Sequence, residues 1–120
     1  MHKHWIKVCG ITRVEDAIAA SEAGADAIGL VFYPPSPRAV QVDDVSDIVS
    51  GVSASVAVVA LFVDPTREEV NKVVDSGYID LLQFHGSESE TFCCSFDLPY
   101  MKAIRVGPDV DLQTAIAAYP

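Results

Sequence analysis

A parallel α/β fold built from repeated βα units is predicted by three features of this sequence. Short apolar runs suited to strands recur along it, segments with helical spacing lie between them, and glycines stand where two of those helices should end. Strand-like runs occupy 5–9, 27–32, 56–63, 81–84 and 101–106. The first ends in Lys7-Val8-Cys9-Gly10 and leads at once into Val14, Ala17 and Ile18, with Thr12 and Glu15 in the T-x-x-E pattern of a capping box. Gly24 should close that helix in the left-handed conformation that glycine adopts readily. The second run is followed by a proline-rich loop and then by Val45, Ile48, Val49 and Val52 at helical spacing. The third leads through Thr66 and Glu69, again a capping pattern, into Val70, Val73 and Val74, closed by Gly77. The fourth leads through Ser87 and Glu90 into a short helix. The fifth precedes Leu112, Ala115, Ile116 and Tyr119.

Helices that end so close to the next strand make βα crossovers, and these require a parallel sheet. The third run is apolar at every position, which suits a strand covered by helices on one face and by a filled interior on the other. The units are short and regular, and no glycine-rich dinucleotide fingerprint follows the first strand, so a barrel is preferred to an open sheet. The expected fold class is therefore α/β, with parallel units of a TIM-type (β/α)8 barrel. Five of the eight units such a barrel needs are present, and residues 1–120 form a single domain, a partial barrel.

The 120 residues, 50% of them hydrophobic, suffice for one domain with its own core and not for two. A net charge of -9, from 17 acidic and 8 basic residues, repels phosphate backbones, so nucleic acid is not an expected partner. Lys7 interrupts the apolar segment that a secretory signal would need after Met1-His2-Lys3-His4-Trp5. The longest apolar run, 56–63, is too short to cross a bilayer. A cytoplasmic setting with no membrane partner is expected. An odd count of three cysteines, with Cys93 and Cys94 adjacent, fits reduced thiols. For the adjacent pair, a role as small apolar fillers on a helix is preferred to redox or metal binding. No metal site is expected from His2, His4 and Cys9, because the histidines lie at the opposite end of the first strand from the thiol.

Cys9 stands at the carboxyl end of the first strand, where the mouth of such a fold gathers its reactive groups. Position alone leaves it either a reactive thiol or a small buried hydrophobe. A thiolate base needs nearby positive charge or helix dipoles. Lys7 alternates with Cys9 and points to the same side, one layer below; it either supports a thiolate or pairs with an inward carboxylate for barrel stability. Arg38 follows Pro34, Pro35 and Pro37 in a stiffened loop. Its guanidinium suits a carboxylate, unless it is simply solvated. Gln83 and His85 alternate on the fourth strand, so both can face a pocket. His85 either orients a substrate hydroxyl or satisfies a backbone carbonyl.

Several motifs then fall in a familiar order: Lys7-Val8-Cys9-Gly10-Ile11-Thr12, Gly24-Ala25-Asp26-Ala27-Ile28-Gly29 leading to Phe32, Ser36-Pro37-Arg38, Leu61-Phe62-Val63, and Gln83-Phe84-His85-Gly86. Each is weak alone, but together and in register with strand ends they are specific. Over essentially its whole length the chain resembles the amino-terminal portion of phosphoribosylanthranilate isomerases, (β/α)8-barrel enzymes of tryptophan biosynthesis. Phe84, where leucine is usual, and Asp64, where asparagine is common, are conservative or lie in loops.

The resemblance implies an Amadori rearrangement of a small phosphosugar, N-(5-phosphoribosyl)anthranilate, to 1-(2-carboxyphenylamino)-1-deoxyribulose 5-phosphate, with no cofactor and no metal. A general acid protonates the ribose ring oxygen, the ring opens to an iminium, and a base removes the proton on the neighbouring carbon. It implies Cys9 as that base and Arg38 as the ligand of the anthranilate carboxylate, with Gln83 and His85 as further substrate-binding candidates. It also implies a general acid near the end of a sixth strand and phosphate-binding loops after the seventh and eighth. Asp109 and Asp111 follow the fifth strand and match neither. The chain by itself is accordingly expected to be inactive, with strand edges that invite self-association. Two expectations of different class stand: part of an isomerase whose activity needs Cys9, or a non-catalytic partial barrel that forms homo-oligomers through its open edges. Another phosphosugar isomerase or epimerase would usually carry a carboxylate, histidine or lysine in place of Cys9.

Overall fold

The computed structural model describes residues 5–103. Five parallel strands form one sheet in chain order: β1 (Lys7–Cys9), β2 (Ala27–Val31), β3 (Ala57–Phe62), β4 (Leu81–Phe84) and β5 (Tyr100–Lys102). Each connection between them carries a helix: α1 (Val14–Glu22), α2 (Val45–Val49), α3 (Arg67–Val74) and α4 (Glu90–Cys93). A 3-10 turn at Val42–Asp44 leads into α2. Among the described residues no helix is long and apolar enough to cross a membrane. The expected strand residues 104–106, the helical spacing from Leu112 to Tyr119, Asp109, Asp111, His2 and His4 lie outside the described residues.

Alternation along each strand gives the sheet two unlike faces. Ile28, Leu30, Val58, Ala60, Phe62, Leu82 and Phe84 face the helices and join Ala17, Val45, Ile48, Val70, Val73 and Cys93 in one buried cluster. Phe32, Phe62 and Phe84 stack through it with ring centroids 5.6 and 5.9 Å apart. The other face is set by register: Cys9, Gly29, Val59 and Leu81 form one row, and Val31, Leu61, Gln83 and Met101 another. At the amino ends, Asp26 accepts a hydrogen bond from Ile6 N and Asp80 one from Val58 N, each at 2.8 Å, so each carboxylate ties the neighbouring strand.

This second face is concave. Lys7 Nζ on β1 donates a hydrogen bond to Gln83 Oε1 on β4. In a flat sheet strands three steps apart lie about 14 Å from each other, at ~4.8 Å per step, too far for these two side chains to meet. The sheet therefore curls about the inward row. At its β1 side the helix-facing Ile6 and Val8 remain 56% and 39% exposed, and Trp5 beside them 53%, because no helix among the described residues covers them.

Helix ends depart from the sequence pattern in two places. Thr66 and Glu69 form the expected capping box on α3, with Glu69 N bonded to Thr66 Oγ1 and Thr66 N to Glu69 Oε1, both at 3.1 Å. Thr12 and Glu15 do not: the residue before α1 is Arg13, without a side-chain cap. Gly10 N and Ile11 N both bond Gly29 O, at 3.0 and 3.1 Å, so the chain follows β2 past the end of β1 and the helix starts later. Ser87 and Glu90 fail likewise. Ser87 N is taken by Asp64 Oδ1 at 2.6 Å, and α4 is capped two residues on by Ser89, which accepts from Phe92 N. Gly24 and Gly77 have φ of +93° and +82°, as expected just beyond helix ends.

Candidate active site

Cys9 ends β1, half-buried, with its side chain over β2. A methyl group placed on Gly29 would stand 3.0 Å from Cys9 Sγ and 3.2 Å from Cys9 Cα, so the bare glycine makes room for the thiol. Gly10 follows at φ +84°, turning the chain away from the strand. Arg38 folds into the space above it: a methyl group on Gly10 would lie 2.3 Å from Arg38 Nη1 and 2.7 Å from Cζ. Its loop is held at both ends, by Ser36 N to Tyr33 O at 2.9 Å and by Val40 N to Val31 O at 2.9 Å, where the chain returns to β2. The structure thus brings Cys9 and Arg38 together at the mouth of the sheet. The guanidinium is exposed and has no carboxylate partner among the described residues.

Gln83 faces the same concave surface from β4, three strands from Cys9, and its amide oxygen is occupied by Lys7. Of the two expectations for Lys7, the inward carboxylate partner is not found among the described residues, and an amide stands in its place. His85, one residue beyond β4, is exposed; its backbone N donates to Phe62 O at 2.9 Å, and its imidazole makes no hydrogen bond among the described residues. Of the other thiols, Cys93 is buried as a core filler, and burial together with the negative charge of Glu88 pushes it up to about 11. Cys94 is exposed at the end of α4 and is no filler.

A second polar cluster escaped the sequence reading. Glu88 and Lys102 form an ion pair at 3.4 Å with side chains only 2% and 7% exposed. Glu88 also accepts from Asp64 N at 2.7 Å and Gly86 N at 3.0 Å, while Lys102 Nζ donates to Gly86 O. The loops after β3 and β4 are thereby locked to β5. A lysine on the helix-facing side of an otherwise apolar strand was the available signal. A cleft of about 430 Å³ between the loop after β2 and α3, lined by Phe32, Val40, Phe62 and Val73, lies on the helix side and holds none of the candidate residues.

With the thiol, the guanidinium and a cationic concave face in place, relatives can be weighed. The family model for N-(5'-phosphoribosyl)anthranilate isomerase matches residues 6–120. The chain belongs to the phosphoribosylanthranilate isomerase family. It is 54% identical over 107 residues to the isomerase of Alcanivorax borkumensis, covering 89% of this chain and 49% of that protein. With the Pseudomonas aeruginosa isomerase it shares 52% over 115 residues, 96% of this chain and 54% of the relative. It spans about half the length of the curated relatives it matches. The crystal structure of the Thermotoga maritima isomerase superposes with a TM-score of 0.87 at 33% identity, covering 94% of this chain and 56% of that one. A second crystal structure, of the isomerase in complex with reduced 1-(o-carboxyphenylamino)-1-deoxyribulose 5-phosphate, matches equally well, with 59% of it covered. The five parallel strands and the helices between them are thus those of a TIM-barrel isomerase family.

Proposed function

We propose that this chain carries the base side of a phosphoribosylanthranilate isomerase site, acting on N-(5-phosphoribosyl)anthranilate in tryptophan biosynthesis. The observation that carries this reading is the closure of Arg38 over Gly10 beside Cys9. It sets a receptor for a carboxylate next to a group able to take a proton. Arg38 holds the anthranilate carboxylate through paired N–H donors and turns the amino-linked ribose toward the strand ends. After the ring oxygen is protonated and the ring opens, the iminium acidifies the proton on the neighbouring carbon. The Cys9 thiolate takes that proton, the electron pair flows to the iminium nitrogen, and the resulting enol becomes the ketone. Gln83, through its Nε2, and His85 meet the sugar hydroxyls.

The inward positions of β1 to β5 hold no Asp or Glu, so the acid that protonates the ring oxygen belongs elsewhere. Without it the chain by itself turns over at least ~10²-fold more slowly than a site with its acid. The test is the loss of anthranilate-type fluorescence from fresh substrate with wild-type chain and Cys9→Ala, alongside calorimetric binding of the reduced product analogue to wild-type and Arg38→Ala. Cys9-dependent turnover, or binding that Arg38→Ala weakens tenfold, supports the proposal. Turnover indifferent to Cys9, or analogue binding absent or indifferent to Arg38, overturns it.

Exposed Trp5, Ile6 and Val8 beside β1, which pairs on one side only among the described residues, favour a second reading, in which the chain forms homo-oligomers through its strand edges. Sedimentation velocity that finds a monomer at all concentrations removes it, whereas Ile6→Lys with Val8→Lys should dissolve such an oligomer. The cytoplasm is the proposed setting, in keeping with an odd count of three cysteines.

A further inference from the structure

We infer that Lys7, held on the concave face by Gln83, is the electrostatic partner of the Cys9 thiolate, and that Gln83 is a positioning residue acting on the thiol through Lys7; this rests on the isomerase reading only for the use made of the thiolate. Lys7 and Cys9 share one face of β1, about 6.6 Å apart along the strand. The ammonium has only donors, so its bond fixes the amide with the oxygen toward Lys7 and the NH2 free for another acceptor. Because the partner is an amide, the positive charge is held without being cancelled. Among the described residues no carboxylate reaches Lys7.

Every element around the thiol has the same bias. Inward positions of β2 and β3 supply Ala27, Gly29, Val31, Ala57, Val59 and Leu61, none of which titrates. Arg38 lies over Gly10 from the loop after β2, and His85 follows β4. Arg13 before α1 is matched by Asp16 at 3.2 Å and Glu15 at 3.9 Å. The remaining acids nearby are engaged away from Cys9: Asp26 with Ile6 N at the opposite strand end, Asp64 with Ser87 N, and Glu88 with Lys102. Positive charge therefore faces Cys9 from below and above. A neighbouring positive charge favours a thiolate over a thiol, so cancelling it lowers the fraction of the sulfur able to be alkylated.

The decisive variant is Gln83→Glu, which keeps the shape of the bridge and cancels the charge of Lys7. Wild-type, Gln83→Glu, Lys7→Met and Lys7→Arg are treated with iodoacetamide across pH 6–9, and alkylation is resolved by peptide mass, with exposed Cys94 as internal reference. Expected is a three- to tenfold slower reaction of Cys9 at neutral pH in Gln83→Glu and Lys7→Met, a pH–rate profile displaced upward, and recovery in Lys7→Arg. A bridge that merely braces the sheet predicts an unchanged Cys9 profile in Gln83→Glu. Wild-type rates in that variant overturn the inference. Should Lys7→Met open the fold, seen as alkylation of buried Cys93, Gln83→Glu decides alone. An intact alkylation response in a chain that fails the turnover and binding tests would overturn the proposed function and leave this inference standing.

Discussion

On β1 and in the loop after β2 the cations Lys7 and Arg38 face an open concave surface with no carboxylate against them among the described residues. At the ends of β3, β4 and β5 Lys102 is buried against Glu88, and both are tied into the loop backbones. In the first region charge is left available for an incoming anion or for a thiolate. In the second it is matched within the protein and fastens three strand ends. The first arrangement suits the proposed site, and the second fastens the rim beside it, next to His85.

The largest effect should come from breaking the matched region. Glu88→Ala leaves Lys102 buried without its partner and the amides of Asp64 and Gly86 without their acceptor; a loss of ~3–5 kcal/mol is expected for a broken buried pair. Urea denaturation at neutral pH measures it. Adding Lys102→Met to Glu88→Ala should restore part of that loss, since the stranded charge is then gone. A double variant as unstable as the single one would show that the backbone contacts of Glu88, and not the ion pair, hold the rim.

A methyl group introduced into each region sharpens the contrast. Gly10→Ala must place a side chain at φ +84°, costing ~1–2 kcal/mol, and its methyl group must drive the Arg38 guanidinium from the space it fills over Gly10. Gly86→Ala meets Asp64 Oδ1 at 2.6 Å and Asp64 N at 2.8 Å and should destabilise by ~1–3 kcal/mol through overpacking. Both lower the urea midpoint, but only Gly10→Ala should also weaken binding of the reduced product analogue. Equal loss of binding in the two variants would mean that the two regions are not separable.

The same division explains how far the sequence could be read. Strand positions, the inward alternation of Lys7 with Cys9, and Gly24 and Gly77 as helix stops depend on neighbours a few residues away, and all were legible. Helix starts were legible only where nothing distant intervened. Thr66 caps α3 in isolation, whereas the turn at Thr12 is pulled along β2 by Gly29 O and the turn at Ser87 is captured by Asp64. Thr66→Ala should therefore lose ~1 kcal/mol and Thr12→Ala nothing measurable by the same denaturation, although the two sequences look alike. In the site, Cys9 and Arg38 were legible as residues. That Arg38 folds over Gly10, and that Gln83 holds Lys7, depends on sheet curvature that spacing does not encode. Glu88 and Lys102 were missed because their pairing is decided by how the loop after β4 turns inward.

The smallest effect at neutral pH separates the thiols of the two regions. Cys93, buried beside Glu88, has its titration raised from the ordinary 9.0 to about 11. Below about pH 9 the folded and unfolded chains both hold this proton, and Cys93 adds no pH dependence. As pH rises from there toward 11 the unfolded chain releases the proton while the folded chain keeps it. Unfolding is then favoured, and the loss levels off above the folded value. The wild-type urea midpoint should accordingly fall more between pH 8 and pH 10 than that of Cys93→Ala, in which this proton is absent from both states. Equal falls would mean that Cys93 ionises as readily in the folded chain as in the unfolded one, and that burial beside Glu88 does not hold its proton.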